Sequence, residues 1–314
     1  MKKTVLLLFA AFVSGSFAYA VDFDTKACIT PHSEIFVSGL QRFVTAKNKD
    51  SSVDKVKAKP TSMAIGYQYV GERWTTGLSV SYETGKRKMW DYGDDEYAKL
   101  RDRMFGFTLF GTYQSDCGYY VKGSAFLGFA RTKVREGYIG TNDISRRGHD
   151  NSTRVGASVE IGKEFDFGDN YRITPHVGFD YSYMPSEHRD YIAAGVPGRG
   201  NSVHQNFYEI PVGVTFAKDF VACDWVITPS VDLTFVPSVG KMKRGNMNVR
   251  TGFASRTGSE WKVYGIGADH WGGRVKAGIR AVKSERFDID VNYAYEGRKK
   301  YHDHRISATL GFGF

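Results

Sequence analysis

The sequence predicts an all-β protein: a transmembrane antiparallel β-barrel of twelve strands. Three observations carry that expectation. Apolar residues recur at every second position in segment after segment, and the connections between those segments, apart from the last, alternate long and short. The last ten residues, "RISATLGFGF", keep the alternation to Phe314 without a polar tail. Ile306, Ala308, Leu310, Phe312 and Phe314 share one face there, and an apolar face of that kind invites aggregation unless something covers it.

The first twenty residues read as an address. Lys2 and Lys3 precede an apolar run over 5–13, and Ala18-Tyr19-Ala20 offers a small-x-small cleavage site. This order predicts a secretory signal peptide over 1–20. The run is too short for a spanning helix, which needs roughly 20 apolar residues. Residues 21–34 are expected to form a short periplasmic or lumen segment, and 35–314 the barrel.

Each strand rests on period-two sorting. The first is 35–43, and 61–70 and 73–84 follow, joined by 71–72. Next come 103–113 and 119–133, whose link 114–118 holds the turn residues Asp116, Cys117 and Gly118. Strands 152–165 and 171–184 meet across 166–170, where Gly168, Asp169 and Asn170 mark a tight turn. In 171–184, Ile173, Pro175, Val177, Phe179, Tyr181 and Tyr183 oppose Arg172, Thr174, His176, Gly178, Asp180 and Ser182. Strands 205–216 and 225–237 join through 217–224. In the latter, Trp225, Ile227, Val231, Leu233 and Phe235 oppose Thr228, Ser230, Asp232 and Thr234. Strands 272–282 and 286–296 join through 283–285. The second of these puts Phe287, Ile289, Val291, Tyr293 and Tyr295 on one face. The last strand, 302–314, follows 297–301. As helices these segments would smear apolar groups round the whole circumference.

Most of these segments reach the ~9–11 residues that a tilted strand needs to cross a bilayer. The long connections are 44–60, 85–102, 134–151, 185–204 and 238–271. Short turns on one side and long loops on the other are the asymmetry of an outer-membrane barrel. The mean hydropathy of −0.38 does not oppose this, because strands that alternate lipid-facing and lumen-facing residues average out. Thirty-five glycines and 15% aromatics against eight prolines suit close-packed strands with aromatic girdles.

Charged groups on barrel strands must point inward, since near the lipid midplane each costs about 2–4 kcal/mol. A turn centred on Glu285 predicts two lumen pairs, Arg280 with Asp290 and Arg274 with Glu296. The formal net charge is +9, and losing Lys2 and Lys3 leaves +7. The predicted outer connections 44–60, 238–271 and 297–301 carry +3, +4 and +3. Lys241, Lys243 and Arg244, with Arg298, Lys299 and Lys300, are therefore candidates for binding lipopolysaccharide phosphates or acidic surface polymers. Export removes the chain from intracellular nucleic acid, so no nucleic-acid partner is expected.

Three segments carry a resemblance to a known family. They are "MAIGYQYVGERWTTGLSVSYETGK" (63–86), "MFGFTLFGTYQSDCGYYVKGSAFLGFARTK" (104–133) and "VGASVEIGKEFDFGDNYRITPHVGFDYSY" (155–183). Together with "VKAGIRAVKSERFDIDVNYAYEGRKKYHDHRISATLGFGF" (275–314), they resemble the β-domain of autotransporters over 35–314. The resemblance implies a twelve-stranded outer-membrane barrel that anchors an N-terminal passenger. It also implies recognition of the last strand by the barrel-assembly machinery, through Phe314 and Phe312 with Leu310. Residues 21–34 are too few for a passenger, so secretion in cis is not expected.

The function expected is that of a monomeric integral outer-membrane protein whose basic loops contact anionic material at the surface. The alternative is a narrow pore, or a translocator for a separately encoded passenger; Phe110 and Phe126, pointing inward, would narrow such a lumen. A third reading is a surface protease resembling the omptins, with His302, Asp303 and His304 beside Asp91, Asp94, Asp95 and Glu96. No catalytic, cofactor or metal site is assigned, because His302 and His304 share a face without a third ligand in view. Three cysteines, Cys28, Cys117 and Cys223, leave room for one disulfide.

Overall fold

The alternation produces strands, and the strands close. The computed structural model describes residues 31–47, 55–90, 96–136, 146–186, 189–193, 196–200, 203–240, 249–251, 271–283, 286–299 and 301–314. Twelve antiparallel strands form the wall. The first six are β1 (His32–Lys47), β2 (Lys55–Val70), β3 (Trp74–Trp90), β4 (Glu96–Gln114), β5 (Tyr119–Glu136) and β6 (Arg146–Lys163). The remainder are β7 (Tyr171–Ser186), β8 (Val203–Glu209 and Val212–Lys218), β9 (Trp225–Gly240), β10 (Trp271–Lys283), β11 (Phe287–Arg298) and β12 (Tyr301–Gly313). Each pairs with its sequence neighbours, and β12 pairs with β1, so that Val37 stands opposite both Ile65 and Leu310. Short strands at Arg189–Ala193, Val196–Gly200 and Val249–Thr251 pair with one another beyond the outer rim of β7 to β9.

All twelve segments expected from the sequence are strands, with two differences. The expected long connections 44–60 and 85–102 are largely strand, and strand also takes up 134–136 and 146–151 of the third. β1 to β6 run 16–19 residues each, against ~9–11 for a bilayer crossing. The reason is an inversion of the pattern. At membrane level the outward residues of β2 are Met63, Ile65 and Tyr67, and the inward ones are Ser62, Ala64 and Gln68. Higher up, Lys57 and Lys59 face out while Val56 and Ala58 are buried inside. Val44, Ala46 and Leu100 continue that dry interior on β1 and β4. Above the lipid the barrel is built like a water-soluble one, with its apolar side turned in. Scoring apolar residues outward therefore stops the strands at the inversion.

The second difference lies in 205–216. The strand is interrupted at Ile210 and Pro211, because proline has no N–H to give the ladder. The register survives: Glu209 faces Asp180, Val212 faces Val177, and the N–H of Gly178 donates to the Pro211 carbonyl at 2.8 Å.

The short turns cluster at one end. Gly168, Asp169 and Asn170 all adopt positive φ (79°, 49° and 62°), and Gly118 does so at 81°. Two backbone hydrogen bonds between Ser33 and Phe314 bring the two ends of the β1–β12 seam to this same rim. Cys117 and Cys223 occupy these turns, exposed and free; Cys28 lies outside the described residues.

Outside, aliphatic residues such as Leu78, Leu109, Ile279 and Val291 form a continuous exposed band. Trp74, Tyr113, Tyr119 and Tyr171 edge it near the short turns, and stacked Phe235 and Trp271 edge it above. Inside, aromatic rings fold over glycines on the next strand. Phe36 lies opposite Gly66, Phe110 opposite Gly77, and Tyr120 opposite Gly162. A Cβ at Gly77 would stand 2.4 Å from the Phe110 ring. Phe36 and Phe110 also meet edge to face at 5.8 Å, and Phe126 packs inward with Met104 and Ala130.

Filling one of those glycine seats should strain the wall. Gly77→Val is expected to cost about 1–3 kcal/mol. The readout is the temperature at which the folded band disappears on a semi-native gel. Adding Phe110→Ala should relieve the clash and recover part of the shift, whereas a shift from Gly77→Val alone that persists unchanged contradicts the account.

Candidate functional site

The lumen holds most of the chemistry, because strand parity turns every charged residue of the bilayer-level wall inward. In its outer half the groups form three clusters that together make a belt round the lumen. On β12, Asp303 accepts from Arg42 of β1 at 2.6 Å, from Arg305 at 2.7 Å and from the Tyr301 hydroxyl at 3.2 Å. Arg305 reaches on to Glu296 of β11 at 2.9 Å, and Arg274 of β10 joins the same carboxylate at 3.2 Å. Arg298 pairs with Glu296 at 3.0 Å and, across the lumen, with Glu209 of β8 and the Ser238 hydroxyl of β9. Opposite, Arg87 binds Asp102, which also accepts from Thr132 at 2.6 Å. Arg154 of β6 reaches over to Glu83 of β3 at 4.0 Å.

The belt is dry. Asp303 is 0% exposed and Glu296 and Glu209 are each 1% exposed, although all three point into a lumen. Charges that are buried this way are held only by their partners. Below lies a polar cavity of about 220 Å³, lined by Tyr120, Lys122, Glu160, His176, Asp232 and Arg280 among others. His176 holds its Nε2 2.7 Å from Asp232 and its Nδ1 3.6 Å from Glu160, and Thr215 donates to Asp232 at 2.9 Å.

The sequence-derived residues fall as follows. Arg274 stands opposite Glu296 in register and bonds it. Arg280 stands opposite Asp290, but its guanidinium also engages Asp288 at 2.8 Å. Asp288 lies one inward position lower, within diagonal reach of a long side chain. Phe312, Phe314 and Leu310 are exposed on the outer wall. Arg298 requires a correction: it is not a surface cation, because it is 5% exposed and spent on Glu209 and Glu296. Lys299 is exposed; Lys241, Lys243, Arg244 and Lys300 lie outside the described residues.

The histidine–aspartate triplet is split between two walls. His302 and His304 face outward, where their Nδ1 atoms bond the hydroxyls of Tyr295 (2.7 Å) and Tyr293 (2.8 Å), while Asp303 points into the belt. The three cannot act on one water. Asp91, Asp94 and Asp95 lie outside the described residues, as does the side chain of Glu96.

Sequence reasoning missed Arg42, Asp303, Arg305 and Glu209 as one network. Parity would have turned Asp303 and Arg305 inward, but the Arg298–Glu209 contact joins strands that are not neighbours, which no pairing rule reaches.

The profile of the autotransporter β-domain matches residues 35–294. The chain belongs to that family. The wall also superposes on solved autotransporter barrels. The translocator domain of NalP from Neisseria meningitidis matches at 15% identity over 90% of this chain and 88% of that one, with a TM-score of 0.65. The Bordetella BrkA β-domain matches at 14% identity over 90% and 100%, with a TM-score of 0.66. The transport unit of AIDA-I from Escherichia coli matches at 13% over 95% and 94%, with a TM-score of 0.60. No curated protein matches the chain. This autotransporter-type barrel is thus an integral outer-membrane protein.

Breaking the belt should be costly. Asp303→Ala leaves Arg42 and Arg305 buried without their shared carboxylate, a loss of about 3–5 kcal/mol. Thermal unfolding in detergent should register it as a lower midpoint, and the double variant Arg42→Met/Asp303→Leu should recover much of the loss. Equal midpoints for all three proteins contradict the belt's role.

Proposed function

We propose that this barrel is a closed, surface-exposed anchor of the outer membrane rather than an open pore. The observation that carries this reading is the dry ion belt across the outer half of the lumen. Ions have no path through groups that are themselves shielded from water. The signal peptide over 1–20 brings the chain to the periplasm, and the barrel-assembly machinery inserts it by reading Phe314, Phe312 and Leu310 on the outward face of β12. The protein works as a monomer, since the strand edges are consumed within one chain. At the surface it meets lipopolysaccharide through its basic outer parts, among them Lys241, Lys243, Arg244, Lys299 and Lys300.

A translocator for a separately encoded passenger is the second reading. It is favoured by the polar cavity beneath the belt and by the family to which the chain belongs. In that reading the belt is the part that must open.

Planar-bilayer recordings separate a closed barrel from a pore. The wild-type protein should give no steady conductance, and Glu296→Ala/Arg298→Ala should give discrete steps. Steady conductance from wild-type protein overturns the closed-anchor reading. For the loops, Lys241→Ser/Lys243→Ser/Arg244→Ser should weaken binding of intact lipopolysaccharide severalfold, and unchanged binding removes them from the surface role.

A further inference from the structure

The outward wall of β2 to β5 carries cations in register. Lys59 stands opposite Lys86, Lys86 opposite Arg101, and Arg101 opposite Lys133. One step lower, Arg103 stands opposite Arg131. All six side chains are exposed, and Lys57, Lys88 and Lys99 continue the same face above them. No carboxylate shares this face among the described residues: Glu83 and Asp102 point into the lumen, and the side chains of Glu96 and Glu136 lie outside the described ones. Lys59 additionally lies over the Phe43 ring at 5.8 Å.

Like charges placed directly opposite one another on adjacent strands destabilise a sheet. Four strands repeat the arrangement, whereas the inward cations Arg87 and Arg154 are paired with Asp102 and Glu83. Lys59, Lys86, Arg101, Arg103, Arg131 and Lys133, with no carboxylate on their face among the described residues, therefore point to an anion from outside.

Its height says which anion. On every one of the four strands the cations begin just past the last lipid-facing apolar residue: Met63 before Lys59, Tyr82 before Lys86, Phe105 before Arg103 and Arg101, and Phe129 before Arg131 and Lys133. Those four apolar residues are themselves in register. Steps of two to four residues, at ~3.3 Å each along a strand tilted by ~40°, lift the charges ~5–10 Å above the apolar edge. Arg103 and Arg131 thus stand within the headgroup layer, which adds ~5–7 Å on each side of the hydrocarbon core, and Lys59, Lys86, Arg101 and Lys133 stand at its outer edge, from which their long side chains reach back into it.

We propose that this grid is a binding site for the phosphate groups of lipopolysaccharide in the outer leaflet, seated on the barrel wall rather than on its loops. Lys59, Lys86, Arg101 and Lys133 hold the phosphates, with Arg103 and Arg131 below them offering forked donors suited to phosphate oxygens. The acyl chains then lie against Met63, Tyr82, Phe105 and Phe129. The site goes beyond the surface role proposed above: it shares its membrane placement but none of its residues.

The test compares purified barrels in detergent, each checked by heat-dependent gel mobility. The probes are a bis-phosphorylated deep-rough lipopolysaccharide and the same lipid after enzymatic removal of both phosphates. Native mass spectrometry counts bound lipid. Lys59→Gln/Lys86→Gln/Arg101→Gln/Lys133→Gln should lose at least tenfold in affinity for the phosphorylated lipid and change less than twofold for the other. Lys59→Arg/Lys86→Arg/Lys133→Arg should keep wild-type affinity, and the loop variant Lys241→Ser/Lys243→Ser/Arg244→Ser, whose effect is expected on the intact lipid with its outer saccharide, should keep most of it for this truncated one. An unchanged quadruple variant overturns the wall site. So does equal binding of the dephosphorylated lipid to the wild-type protein, or displacement by millimolar inorganic phosphate. Loss of affinity in the loop variant with none in the quadruple moves the contact to the loops and leaves the surface reading standing.

Discussion

Everything in this barrel depends on the seam between β1 and β12. Lipid offers no hydrogen bonds, so every backbone N–H and C=O at membrane depth must find its partner within the wall. Thirteen residues of β1, from Glu34 to Ala46, pair with β12, and this pairing leaves the sheet no edge. Once it is closed, the two faces of each strand meet different media, and side-chain parity decides the rest. Leu310 and Ile306 must face lipid because Asp303 and Arg305 face the lumen.

Much of this was legible in the sequence. Period-two sorting located all twelve strands, and the charge rule turned Arg274 and Glu296 inward and opposite one another. The outer reach of the strands was not legible, because the apolar phase inverts at the lipid edge: Val56 and Ala58 are inward where Met63 and Ile65 are outward. A rule that scores greasy residues as lipid-facing reads that stretch as loop. Arg298 was misplaced for a different reason. Its neighbours Lys299 and Lys300 suggested a solvated turn, yet parity along β11 aligns it with Glu296, and Glu209 from a strand three places round the barrel completes its pairing.

The same inversion connects the lumen with the outer wall. On the inward face cations sit with carboxylates, as Arg42 does with Asp303 and Arg87 with Asp102. Above the inversion the outward face also carries cations, Lys59, Lys86, Arg101 and Lys133. The barrel thus keeps one population of cations as internal mortar and presents another to the headgroups. The rings of Phe36, Phe110 and Tyr120 lock the lower wall by occupying the space that Gly66, Gly77 and Gly162 leave open.

The central claim is that the outward face changes from lipid to water along one strand while the inward face stays dry. Nitroxide scanning of residues 56–67 on β2 tests this most directly, using protein with Cys28, Cys117 and Cys223 replaced by serine and reconstituted in bilayers. Labels at 63, 65 and 67 should be relaxed by oxygen, those at 57 and 59 by a water-soluble nickel chelate, and those at 56 and 58 by neither. Oxygen access at 56 and 58, or nickel access at 63, 65 and 67, would contradict the account.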